Sequence, residues 1–334
     1  MVSRRHTPPT TNFTKNLISR LTKRTDNPTQ QFWPAQAMNS EETAAFLRSL
    51  VHGQNRICED IAKYLRRRAA RDHINDPIGI FLLAGTTKYS KITLARELAS
   101  LFDWPLITVN MNLSNQKIEN HIDEHTKHLP TDLYDYKNAI VMIYGAEKAM
   151  PYEIFQTWQK AWDVKALPFK EGQQHRPMSN YLFLVDINEE ISFSNNGKPL
   201  SPKDILLFFQ SKGLPDSLLE KTNRIYVFQP LTGLDLAKAI TLEIENLINS
   251  YGLHVPPNGI NPNLLLPYLK DITDQKADTI RLNRATQAID SMIAESLVIA
   301  KQKEAKIVQM TTDGEKLYFQ PVNKTPFQIY PEPN

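Results

Sequence analysis

The 334-residue chain has no run of eighteen apolar residues, so its sequence offers no transmembrane helix. It has a single cysteine, Cys58, which excludes an internal disulfide framework. Cys58 falls on one apolar helical face with Ile61 and Leu65, and we interpret it as a small buried side chain rather than a reactive thiol. Together with 41% hydrophobic and 22% charged residues, these features predict a globular, cytoplasmic protein.

Most of the chain also lacks an excess of basic charge. Residues 1–39 carry six Lys or Arg and one acid, whereas the remainder carries 33 basic and 35 acidic side chains. We therefore expect no nucleic-acid partner for the body of the protein. The first 39 residues are rich in Thr, Pro, Asn and Gln, which predicts a disordered, solvated tail. The alternative is a tail that docks on a partner protein or on an acidic membrane surface.

Strand patterns alternate with helical patterns from residue 40 onward, which predicts a mostly parallel sheet with helices on both faces. The strand patterns are Ile78–Ala84, Leu106–Asn110, Ala139–Tyr144, Tyr181–Val185 and Arg224–Phe228. The helical patterns between them are Pro151–Trp162, Pro202–Gln210 and Leu234–Asn249.

After Tyr251 the pattern changes to helices near Leu264–Leu269 and Thr279–Lys303, followed by two strand-like runs around Asp313-Gly314. An Asp-Gly pair between such runs indicates a β-hairpin. We predict four segments: a basic tail over 1–39, a large α/β domain over 40–250, a small domain over 251–325 and a C-terminal tail over 326–334.

The segment Gly85-Thr-Thr-Lys-Tyr-Ser-Lys-Ile-Thr93 lies between the first strand pattern and a helix that we predict from Leu94 to Phe102. It is similar to a phosphate-binding P-loop, G-x-x-x-x-G-K-[ST]. Gly85 and Lys91 match this motif, but Ser90 replaces its second glycine and Ile92 replaces its Mg²⁺-binding hydroxyl. Thr93 comes one position late, about 100° round the helix. Taken alone, Lys91 is equally consistent with an ordinary strand–helix turn.

Further motifs occur in an order that resembles one family, the Clp/Hsp100 AAA+ unfoldases. They are Val51-His-Gly-Gln54, Asp76-Pro-Ile-Gly79, Glu147-Lys-Ala149, Val227-Phe-Gln-Pro-Leu231 and Arg284-Ala-Thr-Gln287. The chain resembles the second ATPase module of that family over about residues 40–320. The resemblance implies an α/β fold of the AAA+ P-loop type, with a three-layer α/β/α parallel sheet and a C-terminal small α+β lid domain.

The resemblance also implies which residues would contact a nucleotide. They are Val51, Gly53, Ile78, Gly79, Gly85, Thr86, Thr87, Ser90, Lys91 and Thr93.

Several parts that the family uses for hydrolysis are replaced in this chain. The two Walker B acids correspond to Tyr144 and Gly145, and we expect no neighbouring residue to take the place of either carboxylate. Asn188 matches the family's polar sensor. Lys221 stands at the position of the arginine finger, and Arg224 is out of register. The sensor arginine of the small domain corresponds to Ile280, with Arg281 one residue away.

The region between residues 111 and 138 is much shorter than the family's and contains no glycine, which argues against a substrate-threading pore loop; its aromatics are Tyr134 and Tyr136. It does contain the pattern His121-Ile-Asp-Glu124-His125, followed by His128. An H-x-x-E-H pattern on a helix can bind zinc with the glutamate as general base. We favour the simpler interpretation, a polar surface segment with no metal.

We therefore predict a Clp-like AAA+ protein that has lost hydrolysis and serves as a scaffold, adaptor or inactive ring subunit. Its expected partners are proteins, such as an active Clp-type AAA+ protein or further copies of itself. We expect ATP or ADP to bind weakly or not at all, without Mg²⁺. The alternative is a divergent but active ATPase that remodels proteins.

Overall fold

The computed structural model describes residues 39–71, 76–85, 88–111, 133, 135–146, 153–167, 176–189, 191, 201–231, 233–269 and 278–322. The chain folds into two compact units, with the division between Pro230 and Leu231. The predicted N-terminal tail and the histidine pattern at 121–128 lie outside the described residues. Among the helices that the structure describes, none is both long and apolar enough to cross a membrane.

The first unit alternates helices and strands, as the sequence predicts. Its helices are α1 (Ser40–Leu50), α2 (Asn55–Ala69), α3 (Lys88–Phe102), α4 (Glu153–Val164), α5 (Pro202–Ser211) and α6 (Asp216–Lys221). Its strands are β1 (Gly79–Ala84), β2 (Leu106–Asn110), β3 (Ala139–Tyr144), β4 (Ala166–Leu167), β5 (Arg176–Pro177), β6 (Tyr181–Ile187) and β7 (Arg224–Val227).

Five of these strands form one parallel sheet in the order β2-β3-β6-β1-β7 among the described residues. Strand β1 lies between β6 and β7, with Leu83 opposite Asp186 on one side and Tyr226 on the other. The six residues of β1 and the seven of β6 are all buried, as expected for parallel strands with both faces covered. Strands β4 and β5 form a separate short antiparallel pair.

The two faces of the sheet carry separate hydrophobic clusters, because side chains alternate along each strand. Ile80, Leu82 and Ala84 point to a cluster that includes Trp158 of α4 and Leu218 of α6. On the opposite face Phe81 and Leu83 join a cluster with residues of α1, α2 and α3, among them Leu47, Cys58 and Leu94. The result is the predicted three-layer α/β/α arrangement, and Cys58 is fully buried as expected.

The second unit begins with the long helix α7 (Gly233–Ser250). It continues with a 3₁₀ turn (Pro262–Leu264), α8 (Leu266–Leu269), α9 (Asp278–Gln302) and the strands β8 (Val308–Thr312) and β9 (Leu317–Pro321). The last two strands form the predicted antiparallel hairpin. At its turn, the Asp313 carboxylate accepts from the backbone N–H groups of Glu315 and Lys316, and Gly314 adopts a φ of +98°.

The division at Pro230 differs from the predicted boundary after residue 250. Helix α7 packs against α8, α9 and the 3₁₀ turn, and this packing makes it part of the second unit. Its buried residues recur at helical spacing, as in Leu236, Ile240, Ile244 and Ile248. In the sequence this apolar stripe shows only that the helix is covered on one side, and not by which unit.

Candidate functional site

The connection after β1 is shorter than the P-loop motif predicts. Helix α3 begins at Lys88, six residues before the predicted start at Leu94, so only residues 85–87 separate it from the strand. Ser90 and Lys91 therefore lie within the helix. Ser90 is compatible with this position, since serine costs less in a helix interior than glycine, which is up to about 1 kcal/mol less favourable than alanine.

Gly85 is the one position of this connection where glycine is structurally required. Its φ is +107°, and a Cβ atom added there would lie 2.6 Å from the carbonyl oxygen of Phe228. The close approach exists because the Phe228 N–H donates to the Ala84 carbonyl at 2.9 Å, just beyond the β1–β7 ladder. The close packing of Gly85 against Phe228 therefore explains why this position requires glycine. The adjacent Thr86 and Thr87 lie outside the described residues.

Lys91 is buried and engaged entirely by the protein. Its ammonium group forms a salt bridge with the carboxylate of Asp186. It also donates to the carbonyl oxygen of Gly85 at 2.6 Å and lies 3.4 Å from that of Ile187. A lysine ammonium has three hydrogens, and these three acceptors account for them. The side chain has no exposed surface.

Asp186 is the functional-site residue that the sequence analysis missed. It lies in β6, between the buried residues Val185 and Ile187, and is itself only 4% exposed. Because Asp186 is paired in register with Leu83 of β1, its side chain faces helix α3, which carries Lys91. The signal was available: one charged residue interrupts an otherwise apolar strand, and a buried charge requires a partner.

Tyr144 and Gly145, at the positions predicted for the Walker B acids, end strand β3 without a carboxylate. Tyr144 is half-buried, and the ammonium group of Lys88 lies 5.6 Å from the centre of its ring. Burial raises the pKa of the Tyr144 hydroxyl, and the negative charge of Asp186 raises it further. The strand next to β3 does carry a carboxylate, that of Asp186, which is paired with Lys91.

The motif Val51-His-Gly-Gln54 is tied to the end of the first unit. Val51 is buried, and Gly53 adopts a φ of +71° between α1 and α2. The Gln54 side chain donates to the carbonyl oxygen of Gln229 at 2.8 Å and accepts from the Gln229 N–H at 3.0 Å. Gln54 is only 2% exposed, so this pair of hydrogen bonds acts as a buried clamp between two sequence-distant segments.

Comparison with solved structures shows a likeness in fold. No family model matches the chain. Among solved structures, the chain is similar to Hsp104 in a cryo-EM reconstruction of its closed state with ATPγS and FITC-casein, at 17% sequence identity and a TM-score of 0.61. The likeness covers 88% of this chain and 55% of that one, so the chain spans about half the length of Hsp104 in that structure. The chain has a three-layer α/β/α fold of the AAA+ type. At this identity, the likeness establishes the fold alone.

Within the AAA+ fold, the expected nucleotide-binding residues fall into separate groups. Gly85, Ser90 and Lys91 lie together where β1 leads into α3, and the buried Thr93 follows Lys91 by two residues. Ile78 and Gly79 do not join them, because they lie at the opposite end of β1. The six-residue length of that strand separates the two ends by about 17 Å. The Tyr64 hydroxyl donates to the Ile78 carbonyl there at 2.9 Å.

The remaining predicted positions differ in how near they lie to Lys91, and Asn188 directly follows Ile187, whose carbonyl oxygen lies 3.4 Å from the Lys91 ammonium group. Asn188 follows β6 and is exposed. Lys221, at the predicted finger position, forms a partly exposed ion pair with Asp163 at 2.6 Å. Arg224 instead contacts Asp60, with its Nε 3.1 Å from the carboxylate. Ile280 and Arg281 lie in the first turn of α9, where the side chains are outside the described part of the structure.

Proposed function

We propose that this chain is a Clp-like AAA+ protein without ATP hydrolysis, which acts as a protein-binding scaffold, adaptor or inactive ring subunit. The observation that carries the proposal is the state of Lys91. Its three hydrogens are matched by the Asp186 carboxylate and the carbonyl oxygens of Gly85 and Ile187, in a site with no solvent access. A phosphate group would have to break this buried pair before it could bind the lysine.

The residues around Lys91 do not fit a Mg²⁺–nucleotide complex as they are arranged. A phosphate on Lys91 would leave the buried Asp186 carboxylate without its cation, and an uncompensated buried charge costs about 3–5 kcal/mol before any phosphate contact is counted. Ile92 offers no hydroxyl, and Tyr144 with Gly145 offers no carboxylate, so these three positions supply no metal ligand. Each 1.4 kcal/mol of lost transition-state stabilisation lowers the rate about tenfold. These terms together support weak or absent ATP and ADP binding and no turnover.

A scaffold also needs a surface that binds protein. Helix α9 exposes Met292, Val298 and Ile299, and helix α5 exposes Leu206 and Leu207. The Hsp104 structure that resembles this chain was determined with FITC-casein, a protein ligand. We propose that this chain likewise binds proteins, either further copies of itself or an active Clp-type AAA+ partner. The basic segment 1–39 is proposed as an additional docking arm.

One observation favours a second candidate, a divergent active ATPase. Asp186 places a carboxylate on the strand next to the one that lacks the expected acids. For activity, Lys91 would have to exchange Asp186 for a phosphate. The two candidates therefore assign Asp186 different roles: a structural partner of Lys91 in the first, and an essential acid in the second.

An ATPase assay with Mg²⁺ on the full chain, together with ATP titration calorimetry, separates the candidates. We expect no turnover above background for the wild type and for Asp186→Asn, and no dependence of any binding heat on Mg²⁺. Circular dichroism confirms that the variant is folded. Turnover by the wild type that disappears in both Asp186→Asn and Lys91→Met would establish the second candidate and reject the first.

A further inference from the structure

A basic cavity of about 250 Å³ lies at the opposite end of β1 from Lys91, within the first unit. It is lined by Tyr64, Arg67, Arg68, Arg71, Asn223 and Arg224. Four of these six residues are arginines. The cavity is smaller than the roughly 300–1,000 Å³ of pockets that enclose a drug-sized ligand, so it suits a small group rather than a whole nucleotide.

The arginines converge because two sequence-distant segments meet there. Arg67 lies in the last turn of α2 and Arg71 follows two residues after the end of the helix, and both line the cavity. Arg224 comes from the start of β7, and its guanidinium lies 5.1 Å from the centre of the Tyr64 ring. Arg68 is held by a 2.8 Å hydrogen bond to the carbonyl oxygen of Asp76. Arg67 and Arg224 also donate to protein acceptors, the Lys63 carbonyl and the Asp60 carboxylate, so three of the four guanidinium groups are held before any ligand arrives.

The positive charge of this cavity is only partly balanced. Asp60 accepts hydrogen bonds from Arg224 and from the Tyr226 hydroxyl, and the carboxylate of Asp76 pairs with Lys165 at 2.8 Å. Across the part of the chain that the structure describes, no carboxylate lies within ion-pair distance of Arg67, Arg68 or Arg71. The pKa of Arg68 is lowered, mainly by burial and also by repulsion from Arg71.

The hydrogen-bond donors left over define the chemistry of the ligand. Each guanidinium offers five N–H groups, of which Arg67 and Arg68 each use one. The Oδ1 of Asn223 accepts from the Ile80 N–H, which leaves the amide NH₂ as a donor. Tyr64 contributes an apolar wall, since its hydroxyl already donates to Ile78. A ligand with several acceptor oxygens and at least one negative charge would satisfy this arrangement.

We propose that this cavity binds a small oxyanion of the phosphate class, either inorganic phosphate or the phosphoryl group of a small phosphate ester. The planar fork of arginine binds phosphate oxygens in pairs, and the guanidinium groups from α2 and β7 would contact a tetrahedral anion from two sides. The competing explanation is that basic residues near the end of α2 only stabilise the helix dipole, which requires no ligand.

Phosphate titration of the full chain tests this site, by calorimetry and by thermal unfolding, against chloride at matched ionic strength. The test variant is Arg67→Gln/Arg71→Gln, and the control is Lys63→Gln/Arg66→Gln, which removes two charges from the same helix outside the cavity. We expect the wild type and the control to bind inorganic phosphate with a dissociation constant near or below about 1 mM. The test variant should bind at least about tenfold more weakly, with an unchanged melting temperature in chloride.

Equal phosphate binding by the test variant and the wild type, or no binding by the wild type, would overturn the proposal. Phosphoserine and glycerol phosphate in the same titration identify the source: tighter binding of an ester than of phosphate indicates a phosphate ester as the natural ligand.

A third variant, Lys91→Met/Asp186→Leu, keeps this result separate from the proposed function. Phosphate binding that is lost in this variant but kept in Arg67→Gln/Arg71→Gln would place the anion at Lys91 and reject the cavity. ATP turnover, by contrast, would contradict the proposed function but would not bear on phosphate binding in the cavity.

Discussion

Replacing Lys91 and Asp186 with apolar side chains, singly and together, measures how strongly the two are coupled. Lys91→Met leaves the Asp186 carboxylate buried without its cation, and Asp186→Leu leaves the Lys91 ammonium buried without its anion. Their side chains are 0% and 6% exposed, so water can stabilise neither charge. We expect each single substitution to lower the free energy of unfolding by about 3–5 kcal/mol. For a unit of this size that corresponds to a drop in Tm of about 6–20 °C.

The double variant should be far more stable than the sum of the single effects predicts. It contains no buried charge, and methionine and leucine approximate the shapes of the side chains they replace. A cost of about 1–3 kcal/mol remains, because the carbonyl oxygens of Gly85 and Ile187 lose their donor. The coupling energy of the cycle should therefore be at least about 3 kcal/mol.

Urea unfolding followed by tryptophan fluorescence is suited to this cycle, since Trp158 and Trp162 are buried in the same unit as the pair. Unchanged m-values in the four proteins show that the same surface unfolds in each. Additive effects, with a coupling energy below about 1 kcal/mol, would mean that Lys91 and Asp186 do not form a buried pair. Lys91 would then be available to phosphate, and the proposal of a protein without hydrolysis would lose its main support.

Three further substitutions test other contacts of the structure. Burial raises the pKa of Glu97 to about 7, so between about pH 4.5 and 7 the folded state retains a proton that the unfolded chain releases, and stability falls as the pH rises. Glu97→Gln should remove this dependence of stability on pH. At pH 8 its free energy of unfolding, measured with urea, should exceed that of the wild type by about 1–3 kcal/mol. Gly85→Ala should lower the free energy of unfolding by more than about 3 kcal/mol, because the added Cβ would collide with the backbone of Phe228. Gly213 also has a positive φ, +81°, but no atom lies near its missing Cβ, so Gly213→Ala should lower it by only about 1–2 kcal/mol. Gln54→Ala should lower the free energy of unfolding by about 2–3 kcal/mol in the same urea assay. The control Gln210→Ala, at an exposed position, should lower it by less than about 0.5 kcal/mol. Equal effects of the two substitutions would show that the hydrogen bonds between Gln54 and Gln229 are not formed.

Local patterns predicted most elements of the sheet. The bounds of β2 and β3 are as predicted, because each is a short run of apolar and β-branched residues that ends at a clear polar or glycine signal. Strand β6 extends two residues beyond the predicted end, to Ile187. The extension was missed because Asp186 looked like the start of a polar loop, whereas its charge is balanced by Lys91 from another element.

The parts of the site that could not be predicted depend on contacts between distant segments. Helix α3 begins at Lys88, whereas the prediction followed the longer loop of an intact P-loop motif. The basic cavity joins residues near position 70 to residues 223 and 224, and only the pairing of β1 with β7 brings them together. In the sequence, Arg67, Arg68 and Arg71 indicate no more than a basic helix end.

The central position of β1 has a consequence for synthesis of the chain on the ribosome. Both of its neighbours come later in the sequence, since β6 begins about 100 residues and β7 about 140 residues downstream. At about 5–20 residues per second, translation from the end of β1 to the end of β7 takes about 7–30 s. During that time a fully apolar strand has neither of its pairing partners. The interval is long compared with the collapse of a chain of this size, so β1 is open to mispairing and to capture by a chaperone during synthesis.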